Sequence, residues 1–141
     1  EIFGTFWLKT KIFWTDLQMI SLIEVLAIHD ILNRKFGGAQ GVRDQGALES
    51  AINRPYQRFD GEELYPTSTD KVAAIFESII SNHPFIDGNK RTAYVLMRLF
   101  LKQDSSDIEV TEDEKFDFVI RSAKGEFKFD EIKTWIKLKL K

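Results

Sequence analysis

The sequence predicts a mainly α fold. Apolar residues recur at helical spacing in six stretches, capping patterns open several of them, and strand-like runs are confined to two short segments, near residues 62–65 and 108–110. A chain of 141 residues with 43% apolar residues, 12 Phe and 3 Trp suits one domain with its own core and argues against disorder.

Residues 1–18 stand apart. Phe3, Phe6, Trp7, Ile12, Phe13 and Trp14 make them unusually aromatic. Lys9, Thr10 and Lys11 interrupt the apolar run and no small-residue cleavage site follows, so the stretch does not read as a secretory signal. We expect an extension packed on a domain of residues 19–141. A contact between copies in a homo-oligomer is the sharper reading, because exposed aromatic patches mark interfaces.

The first helix is expected to open at the Ser21/Glu24 capping pattern, to bury Leu22, Ile23, Leu26, Ala27 and Ile31, and to end at Gly37-Gly38. Asp44 can cap a second helix through Ala47, Leu48 and Ile52 that stops before Pro55. Residues 54–67 read as an irregular connection with a turn at Asp60-Gly61. Thr69 is expected to cap a third helix, Val72, Ala73, Ile75, Phe76 and Ile79 forming its apolar side. A fourth carries Ala93, Leu96, Met97 and Phe100. Thr111 with Glu114 opens a fifth, closed by Gly125, and a sixth runs from about Asp130.

Composition excludes several function classes. The net charge of −2, from 20 basic and 22 acidic residues, offers no bulk field for nucleic acid. The chain has no Cys and only two His, which rules out a thiolate or His-rich metal site. No apolar run reaches the ~20 residues that span a bilayer. The expectation is a soluble, cytoplasmic domain with neither nucleic acid nor membrane as partner.

The chemistry concentrates in His83-Pro84-Phe85-Ile86-Asp87-Gly88-Asn89-Lys90-Arg91, between the third and fourth helices. His83, at the head of the loop, can take a proton from an attacking hydroxyl, since an imidazole titrates near neutrality. Asp87 is the segment's one carboxylate, enough to hold Mg²⁺ beside phosphate oxygens. Gly88 lets backbone approach a phosphate, and Asn89 can orient the first N–H groups of the next helix as an anion nest. Lys90 supplies a point charge and Arg91 a forked donor. Each residue alone weighs little, whereas the ordered set on a helix–loop–helix describes a phosphate site. His29-Asp30, inside a helix and without a partner motif, reads as structural.

The run resembles the signature of the Fic/Doc superfamily, HPFx(D/E)GN(G/K)R, with Lys90 the choice of the Doc, or death-on-curing, branch. The likeness extends through Leu26–Asp30, Phe36–Gly38, Gly41–Asp44, Leu48–Ala51, Glu62–Pro66, Gly125–Glu126 and Asp130–Ile132, covering about Met19 to Ile136. It implies a compact helical bundle of the Fic (fido) type with a small flap beside the active-site loop. It also implies transfer of a phosphate-containing group from ATP, or another nucleotide, to a hydroxyl of a target protein. His83 would be the base and Asp87 the Mg²⁺ ligand. Phe85, Gly88, Asn89, Lys90 and Arg91 would contact the nucleotide, Lys90 and Arg91 also serving catalysis. Leu64, Tyr65 and Pro66 would hold the target segment. AMP-transferring members continue G-N-G-R-x-x-R, whereas here Lys90 replaces the glycine and Tyr94 the second arginine. Doc-type members with this lysine transfer the γ-phosphate, phosphorylate elongation factor Tu as toxins, and are neutralised by a separate antitoxin. The alternatives are AMP transfer and a non-catalytic interaction module on the same fold. A basic residue that many Doc-like relatives carry two places before the motif His is Ser81 here.

Overall fold

The computed structural model describes residues 20–141. The extension at 1–18 lies outside the described residues. Six α-helices dominate: α1 Leu22–Phe36, α2 Gln45–Asn53, α3 Ser68–Asn82, α4 Asn89–Gln103, α5 Glu112–Ala123 and α6 Phe129–Lys139. A 3₁₀ turn at Arg54–Tyr56, with Pro55 inside it, follows α2. The strands β1 Arg58–Phe59 and β2 Glu62–Glu63 form a small antiparallel hairpin. The mainly α expectation holds. The expected strand at Glu62–Tyr65 shrinks to two residues, and Ile108–Val110 contributes one isolated bridge, from Ile108 to Leu140.

Helix α3 is the hub. It packs against α2, α4, α5, α6 and the 3₁₀ turn. A helix enclosed on this many sides must be apolar nearly all round, and Val72, Ala73, Ala74, Ile75, Phe76, Ile79 and Ile80 are all essentially inaccessible. Helix α4 answers with Ala93, Leu96, Met97, Leu99 and Leu101. Phe118 of α5 stacks on Phe76, centroids 4.9 Å apart, and on Trp135 of α6 at 3.7 Å, carrying the core outward through an aromatic column.

Two sequence expectations need correction. Helix α1 does open on the Ser21/Glu24 capping box, but it is rotated from the expected phase. Ile23 is 78% exposed, Ile31 and Ala27 also face outward, and the inner face is Val25, Ile28, His29, Leu32 and Asn33. The inward phase is set by two polar side chains, His29 and Asn33, which find partners in the loop after α3. The cap of α3 is Thr67 and not Thr69: its hydroxyl accepts from Asp70 N at 3.0 Å, and the Asp70 carboxylate accepts from Thr67 N at 3.2 Å. Aspartate thus closes a reciprocal cap that the usual pattern assigns to Glu or Gln.

Asp70 also ties α3 to α6 through Lys133, 2.6 Å away. Burial works to raise the Asp70 carboxyl, but hydrogen bonds from Lys133 and Thr67 outweigh it and hold the group below its ordinary value of 3.8. A carboxyl depressed in the folded state contributes stability that is present above the unfolded pKa and lost as pH falls through the folded one. The melting temperature should therefore fall as pH drops below about 4, the unfolded carboxyl pKa. Asp70→Asn should lower stability at neutral pH and flatten that acid limb in calorimetric melts. An acid limb as steep as the wild type's would contradict the pairing.

Candidate active site

The segment between α3 and α4 is held from three directions. Helix α3 ends on His83, which takes the left-handed conformation, φ 47 and ψ 59. A residue with a Cβ adopts it only where surrounding contacts enforce it. Here Arg43 enforces it: Nε donates to His83 O and Nη2 to Asn82 O, both at 2.6 Å. A guanidinium on the last carbonyls of a helix also compensates the negative end of the dipole. Pro84 O then accepts from Arg43 N at 2.8 Å and Asp44 N at 3.0 Å, and Ile86 N donates to Gly41 O at 3.1 Å. The first half of the loop is zipped onto residues 41–44, the entry to α2.

The second direction is internal. Asn89, the first residue of α4, accepts from Phe85 N at 2.9 Å and donates to Phe85 O at 3.0 Å. Both backbone polar groups of a buried residue are thereby satisfied by one side chain. The third direction is from below. The Phe85 ring is fully buried and stacks on the His29 ring of α1, centroids 3.7 Å apart and planes within 5°. His29 Nε2 lies 2.7 Å from Asp87 O. His29 is structural, as its sequence setting suggested, yet it does have a partner: the loop itself.

This frame leaves His83, Asp87 and Lys90 exposed along the outer side of the loop, with Arg91 half-buried behind them. Asp87 accepts from Gly88 N at 2.8 Å and Ala39 N at 3.2 Å, so its carboxylate is oriented while remaining accessible. Helices α1, α2, α3 and α5 each have an N-cap side chain, Ser21, Asp44, Thr67 and Thr111, on their first turn. Helix α4 has none: its cap is Gly88, φ 81, with no side-chain bond. Its first N–H groups are therefore left to whatever anion approaches, and Lys90 and Arg91 sit on that turn. Arg91 Nη1 donates to Gly37 O at 3.1 Å and Asn33 Oδ1 at 3.2 Å.

Phe85 and Asn89, expected among the nucleotide contacts, both lie inside, where they shape the loop. Lys90 and Arg91 line a cleft of about 490 Å³ between the end of α1, α4 and α5, walled by Leu32, Phe36, Tyr94, Val95, Phe116 and Val119. Burial pushes the Tyr94 phenol up to about 12. Lys115 lies over its ring at 5.3 Å. Among the described residues no cluster of three or more His, Asp or Glu could enclose a metal. A single accessible carboxylate suits Mg²⁺, which keeps waters and takes most ligands from substrate phosphates. At the foot of the hairpin, Leu64 and Pro66 are exposed, whereas Tyr65 is an anchor: its hydroxyl accepts from Arg54 Nε at 2.9 Å and its ring meets Phe129 at 5.2 Å. Arg43, His29 and Asn33 carried no chemical signal in sequence, because each acts on backbone carbonyls or side chains distant along the chain.

A sequence profile of the Fic/DOC family matches residues 19–101, a range that holds α1 to α3 and all but the last two residues of α4. The chain belongs to the Fic/DOC family. It is 41% identical over 83 residues to a protein named Toxin Doc from Mycolicibacterium smegmatis (strain ATCC 700084 / mc(2)155), a stretch covering 57% of this chain and 64% of that protein. It is 32% identical over 111 residues to a protein named Protein kinase doc from Escherichia phage P1, covering 78% of this chain and 86% of that protein. The segment framed above lies within the matched residues.

Gly88 tests the frame. A Cβ there would lie 2.3 Å from Asn33 Oδ1, on a backbone at φ 81, whereas Gly61 of the hairpin turn, at φ 82, has open space around its Cβ position. Gly61→Ala should cost only the left-handed backbone penalty, about 1–2 kcal/mol. Gly88→Ala adds an overlap and should cost about 1–3 kcal/mol more. Equal losses in denaturant titrations would mean that the loop is not seated on Asn33.

Proposed function

We propose that this chain is a Doc-type transferase that moves the γ-phosphate of ATP to a hydroxyl of a target protein. The observation that carries the reading is the motif loop itself: an exposed imidazole, an oriented carboxylate and two cations arranged around the uncapped start of α4. In the step, His83 accepts the proton of the target hydroxyl. The hydroxyl oxygen forms a bond to the γ-phosphorus, the bond to the bridging oxygen breaks, and ADP leaves. Phosphoryl transfer needs little covalent chemistry from the protein, and positioning with charge neutralisation supplies most of the rate. Lys90, Arg91 and the first N–H groups of α4 receive the negative charge that builds on the phosphoryl oxygens. Mg²⁺ held by Asp87 would neutralise further phosphate charge.

The choice of γ- over α-phosphate rests on Lys90 and Tyr94. Lysine occupies room and adds charge at the first turn. One helical turn on, position 94 holds a buried phenol where an AMP-transferring member has a cation. Outer phosphates therefore have fewer partners further along α4. The name of the phage P1 relative supports a kinase and that of the mycobacterial relative a toxin, and a separate antitoxin is the partner that the resemblance suggests. Elongation factor Tu is the target that the resemblance suggests, the cytoplasm is where such a toxin would act, and residues 64–66 are the segment proposed to hold the target. None of the helices is long and apolar enough to cross a membrane among the described residues. We assign the domain to residues 19–141 and treat 1–18 as an extension.

The test is label transfer to elongation factor Tu with Mg²⁺. Label from γ-labelled ATP, and none from α-labelled ATP, is the expected result. Label from α-labelled ATP would replace the reading with AMP transfer, and no label from either would favour an interaction module. His83→Ala should retain the fold and lose about 10²- to 10⁴-fold in rate, the usual scale of a general base. Transfer at the wild-type rate by that variant would remove His83 from the chemistry.

A further inference from the structure

Directly under the motif loop lies a buried polar side chain that the transfer step does not use. Asn33 of α1 is 2% exposed. Enclosed amides persist where their hydrogen-bonding capacity is met. Asn33 Nδ2 donates to Ala39 O at 2.9 Å and to Asp87 O at 3.3 Å, and its Oδ1 accepts from Arg91 Nη1 at 3.2 Å. One planar group therefore touches the backbone of the proposed metal ligand and the guanidinium of the proposed phosphate ligand. His29 completes the set. A carbonyl can only accept, so the 2.7 Å contact to Asp87 O requires the His29 proton on Nε2. Both His29 and Asn33 then donate to that carbonyl, and the 3.2 Å approach between Asn33 Nδ2 and His29 Nε2 is a shared-acceptor contact. The glycines around the amide lie close to it: a Cβ on Gly88 would overlap Asn33 Oδ1 at 2.3 Å, and one on Gly38 would be a tight 3.2 Å from Asn33 Nδ2.

We propose that Asn33 is a positioning residue for phosphate transfer, fixing the Arg91 guanidinium relative to Asp87 before substrate binds. This rests on the reading of Arg91 and Asp87 given above. Arg91 is also held by Gly37 O and lies against the Phe36 ring at 5.4 Å. The amide decides the direction of the fork: both bonds use Nη1, which leaves Nε and Nη2 to meet a phosphate. Without Asn33, the guanidinium keeps its neighbours and loses its fixed rotation, and Asp87 O keeps only His29.

The experiment is a double-mutant cycle read by calorimetric titration with Mg·ATP, using wild type, Asn33→Leu, Arg91→Ala and the double variant. Asn33→Leu should bind about tenfold more weakly, the scale of one hydrogen bond to a charged group. The double variant should be no weaker than Arg91→Ala alone, because Asn33 acts through Arg91. Independent, additive losses would assign Asn33 to stability only and overturn the proposal. Should Asn33→Leu fail to fold, Asn33→Ala removes the acceptor for Arg91 and leaves room for water to meet the freed carbonyls. Mg·ATP affinity should again fall, and wild-type affinity would overturn the proposal. A ligand-free readout separates this from the functional reading. Side-chain nitrogen NMR should find rotation of the Arg91 guanidinium slow in wild type and fast in Asn33→Leu. Equal rotation overturns positioning even if wild type binds Mg·ATP. A wild type that binds no Mg·ATP but has slow Arg91 rotation overturns the transferase reading alone.

Discussion

The site depends on the fixed backbone of Phe85. Its ring is enclosed against His29, and its N–H and C=O are both taken by the Asn89 side chain. Burying a phenyl ring is worth about 1.5–3 kcal/mol, which a loop made only of exposed polar residues would lack. Satisfying both peptide groups avoids the penalty that burial would otherwise impose. Once Phe85 is fixed, the chain on either side has little freedom, and His83, Asp87 and Lys90 are presented outward from a seat they do not build themselves.

The two helix ends that meet at this loop are treated oppositely. The final carbonyls of α3 are covered by Arg43, so its negative pole is compensated from within. The first N–H groups of α4 meet no capping side chain, so its positive pole faces outward together with Lys90 and Arg91. A chain of net charge −2 thereby presents a candidate anion site without a basic surface. Bulk charge speaks only of a field over the whole surface and says nothing of this local arrangement. Distances of a few ångströms set the potential at the loop, and the Debye length of about 8 Å at physiological salt screens most of the distant acidic surface.

Much of this was legible in sequence. Helix positions followed from periodicity and caps, and the motif placed His83, Asp87, Gly88, Lys90 and Arg91 on one loop before any coordinates. What failed did so for a physical reason. The phase of α1 was read from Ile23, Ala27 and Ile31, since apolar residues ordinarily face inward, but His29 and Asn33 take the inner face because the loop offers them the Asp87 carbonyl. Thr69 drew the cap of α3 although Thr67 has Asp70 three residues on, an aspartate in a pattern usually sought with Glu or Gln. Asn89, expected to orient the start of α4 as an anion nest and to contact phosphate, has its side chain bonded to Phe85 from inside the loop. The phase of α1 comes from contacts between segments remote along the chain, which local pattern cannot supply, whereas the Thr67–Asp70 cap and the Asn89–Phe85 bonds are local, three and four residues apart.

The central claim is that the loop is built before substrate arrives. Amide hydrogen exchange at Phe85 in the ligand-free protein tests this most directly. Its N–H is buried and bonded to Asn89, so it should exchange only through large-scale unfolding, as slowly as amides in the middle of α3, and addition of Mg·ATP should change it little beyond any gain in global stability. Fast exchange in the free protein, with protection appearing only when Mg·ATP is added, would contradict the account and make the loop a product of substrate binding.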